Sequence, residues 1–191
     1  MTHLILASQS PQRLQLLQEA GYDISVLAID YQEPPFHDFP TAESYALGTA
    51  MLKASLAAQY AGNEIFLSAD TIVVVENHIL GKPTNRQHAQ QMIMQLSGTE
   101  HQVLTAVVVG RLPGPLFLST FEKTTLRMTP LTPEQVQSYL NENHWQNKAG
   151  GYAFQEIKDP YVQIVKGSVS NVIGLPVTQV GQLLEKLKSI E

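Results

Sequence analysis

Residues 4–21 read LILASQSPQRLQLLQEAG, and the change of character inside this stretch sets the fold class. Leu4-Ile5-Leu6-Ala7 is a short continuous apolar run, the pattern of a buried strand. Ser10 then Pro11 is a helix start: a hydroxyl that caps the first turn, followed by a residue whose missing N–H costs nothing there. Leu14 and Leu17 share one face of the helix, and Gly21 stops it. A strand passing through a short polar loop into a helix is the basic unit of α/β proteins.

Working outward, the alternation of strands and helices continues. Ile24 to Ile29 reads as a second strand, and Asp30 to Pro40, with three prolines, as loop. Thr41 caps a long helix whose apolar stripe runs through Tyr45, Leu52, Leu56 and Tyr60, with Ala and Met beside it and Lys53 on its edge. Phe66 to Val75 is a β-branched run interrupted by Ala69-Asp70-Thr71. Asn85 caps a helix with Ala89, Met92, Ile93 and Leu96 on one face and Gly98 as its stop. Val103 to Val109 and Leu116 to Met128 read as paired strands around Pro113-Gly114. Thr132-Pro133-Glu134-Gln135 is a capping box, with Val136, Tyr139 and Leu140 turned inward. Tyr161 to Val165 reads as a strand and Val177 to Lys188 as a closing amphipathic helix. The expectation is an α/β fold with a mixed sheet, residues 1–191 forming one domain.

Composition narrows the chemistry. The chain has 191 residues, 43% hydrophobic and 15% charged, the balance of an ordinary globular protein. Its net charge of -5 attracts no nucleic acid, so an anionic substrate must meet locally placed Lys and Arg. Without cysteine there is no disulfide, thiolate metal site or thiol nucleophile, which fits a cytoplasmic location. No apolar run is long enough to span a bilayer, so no membrane partner is expected. No Walker GxxxxGK[ST] and no GxGxxG after a strand are present.

Four segments are candidates for chemistry. Ser8, Ser10 and Arg13, with the helix N-terminus beside them, suit a phosphate; alternatively Ser10 is only a cap and Arg13 only a surface residue. Asp70, inside FLSADTIVVV, must lie at a strand end or bulge, or be desolvated at a cost of several kcal/mol. Lys82, in the Gly-Lys-Pro turn of residues 81–83, presents a point charge on a stiff corner. Gly150 and Gly151 permit close backbone approach and Gln155 suits a base edge, while Ser170, Asn171 and Gly174 form a second small-polar loop. The remaining Asp, Glu, Lys and Gln side chains suit metal-assisted phosphoryl chemistry.

Taken in order, these segments resemble the Maf family. Its LASxSPRRxxLL appears as LASQSPQRLQLL, and its acidic segment after the second strand as IDYQEP with Glu33. A helical lysine appears in MLKAS as Lys53, followed by ADTIVV, LGKP, LSGTEHQVLTAV, KAGGYAFQE and SNVIGLP. The match runs from residue 4 to about 185. The resemblance implies a two-lobed fold with a curved mixed sheet and a central cleft, like that of inosine triphosphate pyrophosphatases. It implies hydrolysis of a nucleoside triphosphate to a monophosphate and pyrophosphate with a divalent cation, Mg²⁺ or Mn²⁺, and a homodimer. On this reading Asp70 is the proton acceptor, Glu33 the second acidic site residue, and Lys53 and Lys82 face phosphates. Glu33 and Asp70 are then the candidate metal ligands, and Ser8, Ser10, Gln12, Arg13, Thr71, Gln155 and Asn171 the substrate contacts. Thr71 and Gln155 side with the family's dTTP/UTP branch. Gln12 stands where the family has the first Arg of SPRR, and Glu156 where it has Gly beside the Gln. A different class of reading, suggested by the family's older name of septum formation inhibitor, is a regulatory protein of cell division without turnover.

Overall fold

A computed structural model describes residues 3–111, 116–154 and 160–190. Among these residues there are seven strands and six α-helices. The strands are β1 (His3–Leu6), β2 (Asp23–Val26), β3 (Ile65–Val75), β4 (His78–Leu80), β5 (Glu100–Arg111), β6 (Leu116–Met128) and β7 (Val162–Lys166). The helices are α1 (Pro11–Glu19), α2 (Ala42–Ala58), α3 (Arg86–Leu96), α4 (Pro133–Asn141), α5 (Val169–Ile173) and α6 (Val177–Ser189).

The strands form one mixed sheet in the order β2-β1-β3-β5-β6-β7, with β4 paired to β3. β1 is parallel to both β2 and β3, whereas β3–β4 and β6–β7 are antiparallel. The expected α/β class with a mixed sheet is therefore correct. The chain divides into two compact units. The first comprises Met1–Asp70, Thr105–Glu122 and Gly174–Glu191; the second, Thr71–Leu104 and Lys123–Ile173.

The first unit packs Leu4 and Leu6 of β1, Leu17 of α1, Leu67 of β3 and Val107 of β5 against Val180, Leu184 and Leu187 of α6. The expected second strand is shorter than Ile24 to Ile29. Its partner β1 ends at Leu6, and the bond from Leu27 N to Leu6 O is the last that β1 can accept. The loop from Asp30 to Pro40 contains one 3₁₀ turn, Phe36–Asp38.

Of the stripe expected on α2, Tyr45 is buried and Leu56 half-buried, but the rest is wrong. Leu52 is exposed and Tyr60 lies beyond the helix, 70% exposed. Beside Tyr45, the buried face is Ala46, Thr49, Ala50, Lys53, Ala54 and Ala57. Small residues face the sheet because α2 lies close to β3: Ser68 Oγ donates to the Ala50 carbonyl at 2.8 Å. Leucine side chains would hold the helix away.

The second unit packs Val73, Val75 and Leu80 against Met92 and Leu96 of α3, with Leu126, Met128 and Tyr152. Asn85 caps α3 and Thr132 opens α4 with a capping box, as their sequences predict. Ser170 and Asn171 lie on the single helical turn α5 rather than in a loop. Ser168 starts that turn by accepting the Asn171 N–H at 3.2 Å. The expected turn at Pro113-Gly114 lies outside the described residues.

Candidate active site

The first unit gathers its charges around the end of β1 and the middle of β3. β3 runs unbroken from Ile65 to Val75, so Asp70 is not at a strand end. It is the desolvated alternative: only 8% exposed, with Oδ1 accepting from Lys53 Nζ at 2.7 Å. Lys53 is itself 7% exposed and also donates to the Ala69 carbonyl at 3.3 Å. An unpaired carboxylate would be costly in such a place, and the ammonium supplied from α2 offsets much of that cost.

Arg13 is buried, not a surface residue. Its Nε donates to the Gly174 carbonyl at 2.8 Å, and its Nη1 to the Ala69 carbonyl at 2.9 Å and to Ser8 Oγ at 3.2 Å. Burial lowers its pKa, and the nearby Asp70 charge opposes that shift. The guanidinium thus ties α1 to β3 and to the loop before α6 while adding positive charge near Asp70. Ser10 Oγ caps α1 through the Arg13 N–H and donates to Gln12 Oε1 at 3.1 Å. Ser8 Oγ also accepts the Ser10 N–H at 3.2 Å.

Glu33 enters from the proline-bounded loop. Its Oε1 accepts from the Tyr31 hydroxyl at 3.2 Å, and the Lys53 ammonium lies 4.7 Å from the centre of the Tyr31 ring. Burial raises the pKa of the Tyr31 phenol, with Glu33 and then Asp70 adding to the rise. The phenol of Tyr45 is raised by the same three causes in the same order. Both carboxylates therefore act on the same two phenols. No cluster of three or more His, Cys, Asp or Glu side chains able to hold a metal occurs among the described residues. Two carboxylates in one neighbourhood fit a hard cation that takes its other ligands from substrate and water.

The remaining candidates belong to the second unit. Thr71 follows Asp70 on β3 and is partly buried. A two-residue turn through Glu76 (φ 47°) and Asn77 (φ 66°) leads into β4, and Lys82 stands exposed just beyond it. The Gly81 carbonyl accepts the Gly150 N–H at 2.9 Å. This bond joins the LGKP segment to the turn at Ala149–Gly151. Gly150 has φ 71°, and a Cβ there would lie 3.0 Å from Val73 Cγ2, so close backbone approach is real. Asn171 is fully buried, donating from Nδ2 to the Val103 carbonyl at 3.1 Å and to Thr124 Oγ1 at 2.9 Å. Gln155 and Glu156 lie outside the described residues.

Two groups were not singled out by the sequence. Tyr31 carried no signal, because an aromatic in a loop has no periodicity to betray it. His101 is buried, with Nε2 2.7 Å from the Tyr152 hydroxyl, and burial pushes its pKa down to about 4. The available signal was a His beginning the apolar run of β5.

A family model described as Maf-like protein matches residues 3–187. The chain belongs to the Maf family. Among its curated Maf relatives, the dTTP/UTP pyrophosphatase of Anaeromyxobacter sp. (strain Fw109-5) is 39% identical, covering 96% of this chain and 88% of its own. That of Pseudoalteromonas atlantica (strain T6c / ATCC BAA-1087) is also 39% identical, covering 96% of each chain. A solved nucleoside-triphosphatase / dITP/XTP pyrophosphatase from Mycobacterium abscessus aligns over 97% of this Maf chain and 98% of its own, at 13% identity and a TM-score of 0.46.

Proposed function

We propose that the chain hydrolyses nucleoside triphosphates, dTTP and UTP in preference to purine nucleotides, to the monophosphate and pyrophosphate. The observation that carries this reading is the buried Lys53–Asp70 pair, with Oδ1 and Nζ 2.7 Å apart. A carboxylate held in so apolar a strand by a cation is a frequent property of catalytic positions. Family membership and the activity named for its relatives support the substrate class.

In the proposed reaction a water oxygen attacks the α-phosphorus and its proton passes to Asp70. The bond from that phosphorus to the bridging oxygen breaks, and its electron pair leaves with pyrophosphate. Lys53 and Lys82 face the phosphates and offset charge building on the leaving group. Ser8 and Ser10, beside the α1 N-terminus, orient phosphate oxygens, and Arg13 keeps that loop in place. Glu33 and Asp70 would hold a divalent cation, Mg²⁺ or Mn²⁺, which supplies charge neutralisation on phosphate oxygens when bound. Thr71 and Gln155 are assigned to base selection, with Gln12 near the same phosphate loop and Asn171 bracing the chain that follows β7. A cytoplasmic homodimer accompanies this reading, and light scattering in solution reads its oligomeric state.

The test is pyrophosphate release from a panel of canonical and modified nucleoside triphosphates with Mg²⁺ and with Mn²⁺. dTTP and UTP are expected to turn over fastest. Faster hydrolysis of GTP derivatives would overturn the pyrimidine assignment, and Gln12→Arg then tests position 12 directly. No release from any triphosphate would overturn the activity itself.

A further inference from the structure

We infer that Tyr31 is a positioning residue of this site, its ring seating the Lys53 ammonium against Asp70 and its hydroxyl fixing the Glu33 carboxylate. The inference rests on the function proposed above. Tyr31 lies in a segment with no strand or helix between β2 and the turn at Phe36–Asp38, so its side chain is held by what it touches. One of those contacts is the Lys53 ammonium, 4.7 Å from the ring centre. The same ammonium donates to Asp70 Oδ1 at 2.7 Å and to the Ala69 carbonyl at 3.3 Å. The aromatic face thus borders a cation already directed at the carboxylate, and limits the rotamers of a flexible four-carbon stem.

The other contact is Glu33, whose Oε1 accepts the phenol hydrogen at 3.2 Å. The Glu33 side chain is exposed, and such a carboxylate has many rotamers until a donor selects one. One side chain in a loop thereby sets two functional groups that arrive from different elements. An outer partner that orients a carboxylate ligand typically controls metal affinity or activity by about ten- to a hundredfold.

Two substitutions separate the two contacts. Tyr31→Phe keeps the ring over Lys53 and removes the bond to Glu33; Tyr31→Leu removes both. Calorimetric titration with Mn²⁺ alone should show about tenfold weaker binding in Tyr31→Phe, with kcat near wild type at saturating metal. Tyr31→Leu should bind Mn²⁺ as weakly and also lose about three- to tenfold in kcat, from the freed ammonium. Adding Tyr31→Phe to Glu33→Gln should cost little further Mn²⁺ affinity, because Tyr31 acts on the metal only through the carboxylate that Glu33→Gln has already removed. Tyr60→Phe, at an exposed tyrosine just beyond the end of α2 and outside the site, should behave as wild type.

Unchanged Mn²⁺ affinity in Tyr31→Phe, or fully additive losses with Glu33→Gln, overturns the Glu33 contact. Unchanged kcat in a folded Tyr31→Leu protein overturns the Lys53 contact; should that variant not fold, the Phe variant still decides the first. These failures differ from failure of the proposed function, which would appear as a wild-type chain that releases no pyrophosphate.

Discussion

Among the described residues, charged side chains are buried in the first unit and not in the second. In the first, charged groups are buried beside the neutral Thr49, Ser68 and Thr105: Arg13 and Lys53 both donate to the Ala69 carbonyl, and Lys53 also to Asp70. In the second the buried polar groups are neutral: Asn171 braces β5 and β6, and His101, its pKa pushed down to about 4, meets the Tyr152 hydroxyl. Neutral amides, hydroxyls and imidazoles brace a backbone at modest cost where they hydrogen-bond, even with the buried His101 Nδ1 left unpartnered among the described residues. Buried charges are a poor way to gain stability, since apolar replacements often do as well or better. Their retention in the first unit therefore points to chemistry, and the neutral network of the second points to support.

The largest expected effect falls on the charged side. Lys53→Ala leaves Asp70 buried without its cation, so stability should fall by about 3–5 kcal/mol in urea titration. A loss under about 1 kcal/mol would mean that water already reaches Asp70, and the contrast between units would shrink. Lys53→Ala should also slow turnover by a similar factor for every base, because an ammonium reads charge and not hydrogen-bond pattern.

Acid should expose the neutral side. His101 binds no proton in the folded chain until the pH nears 4, whereas the unfolded chain takes one up near 6.5. Stability from this residue is complete above pH 6.5 and is lost as pH falls toward 4, by about 3 kcal/mol over the window. Urea midpoints measured across that range should flatten in His101→Gln. An unaltered slope would assign the acid sensitivity to other groups.

Asp70→Asn comes next. The amide oxygen still accepts from Lys53, so the fold should survive while turnover drops by about 10²-fold or more, the scale for losing a general base. A folded variant with near-normal turnover would remove Asp70 from proton transfer and leave its burial without a chemical reason. The smallest effect is expected at Gly150, where φ is 71° and an added Cβ would sit 3.0 Å from Val73 Cγ2. Gly150→Ala should lower stability by roughly 1–2 kcal/mol, read as a drop in Tm. A Tm equal to wild type would show that this turn relaxes freely.

Much of the scaffold was legible because caps and periodicity are local. Ser10 before Pro11, Asn85 before α3 and the box at Thr132 each opened the helix they announced. The buried face of α2 was legible only at Tyr45, because hydrophobicity favours Leu52 and Leu56, while close packing on β3 selects alanine and admits a paired lysine. Asp70 was visible as an anomaly in an apolar run, but a continuous β3 depends on Lys53 arriving from another element. Arg13 looked like a surface cation because the carbonyls that bury it, those of Ala69 and Gly174, lie far along the chain. The same holds for Tyr31 and for the pair of His101 and Tyr152, contacts that no spacing rule encodes.

The alanine face of α2 also acts as a ruler. Ala50, Ala54 and Ala57 have no exposed surface, and a backbone carbonyl of that face accepts from Ser68 on β3. The reach of Lys53 toward Asp70 is therefore measured out by methyl groups one residue or one turn away, none of which carries a functional atom. A single larger aliphatic side chain on that face would lengthen the pair while leaving every titratable residue untouched. The gap between helix and strand is thus as much a part of the site's specification as the charges that span it.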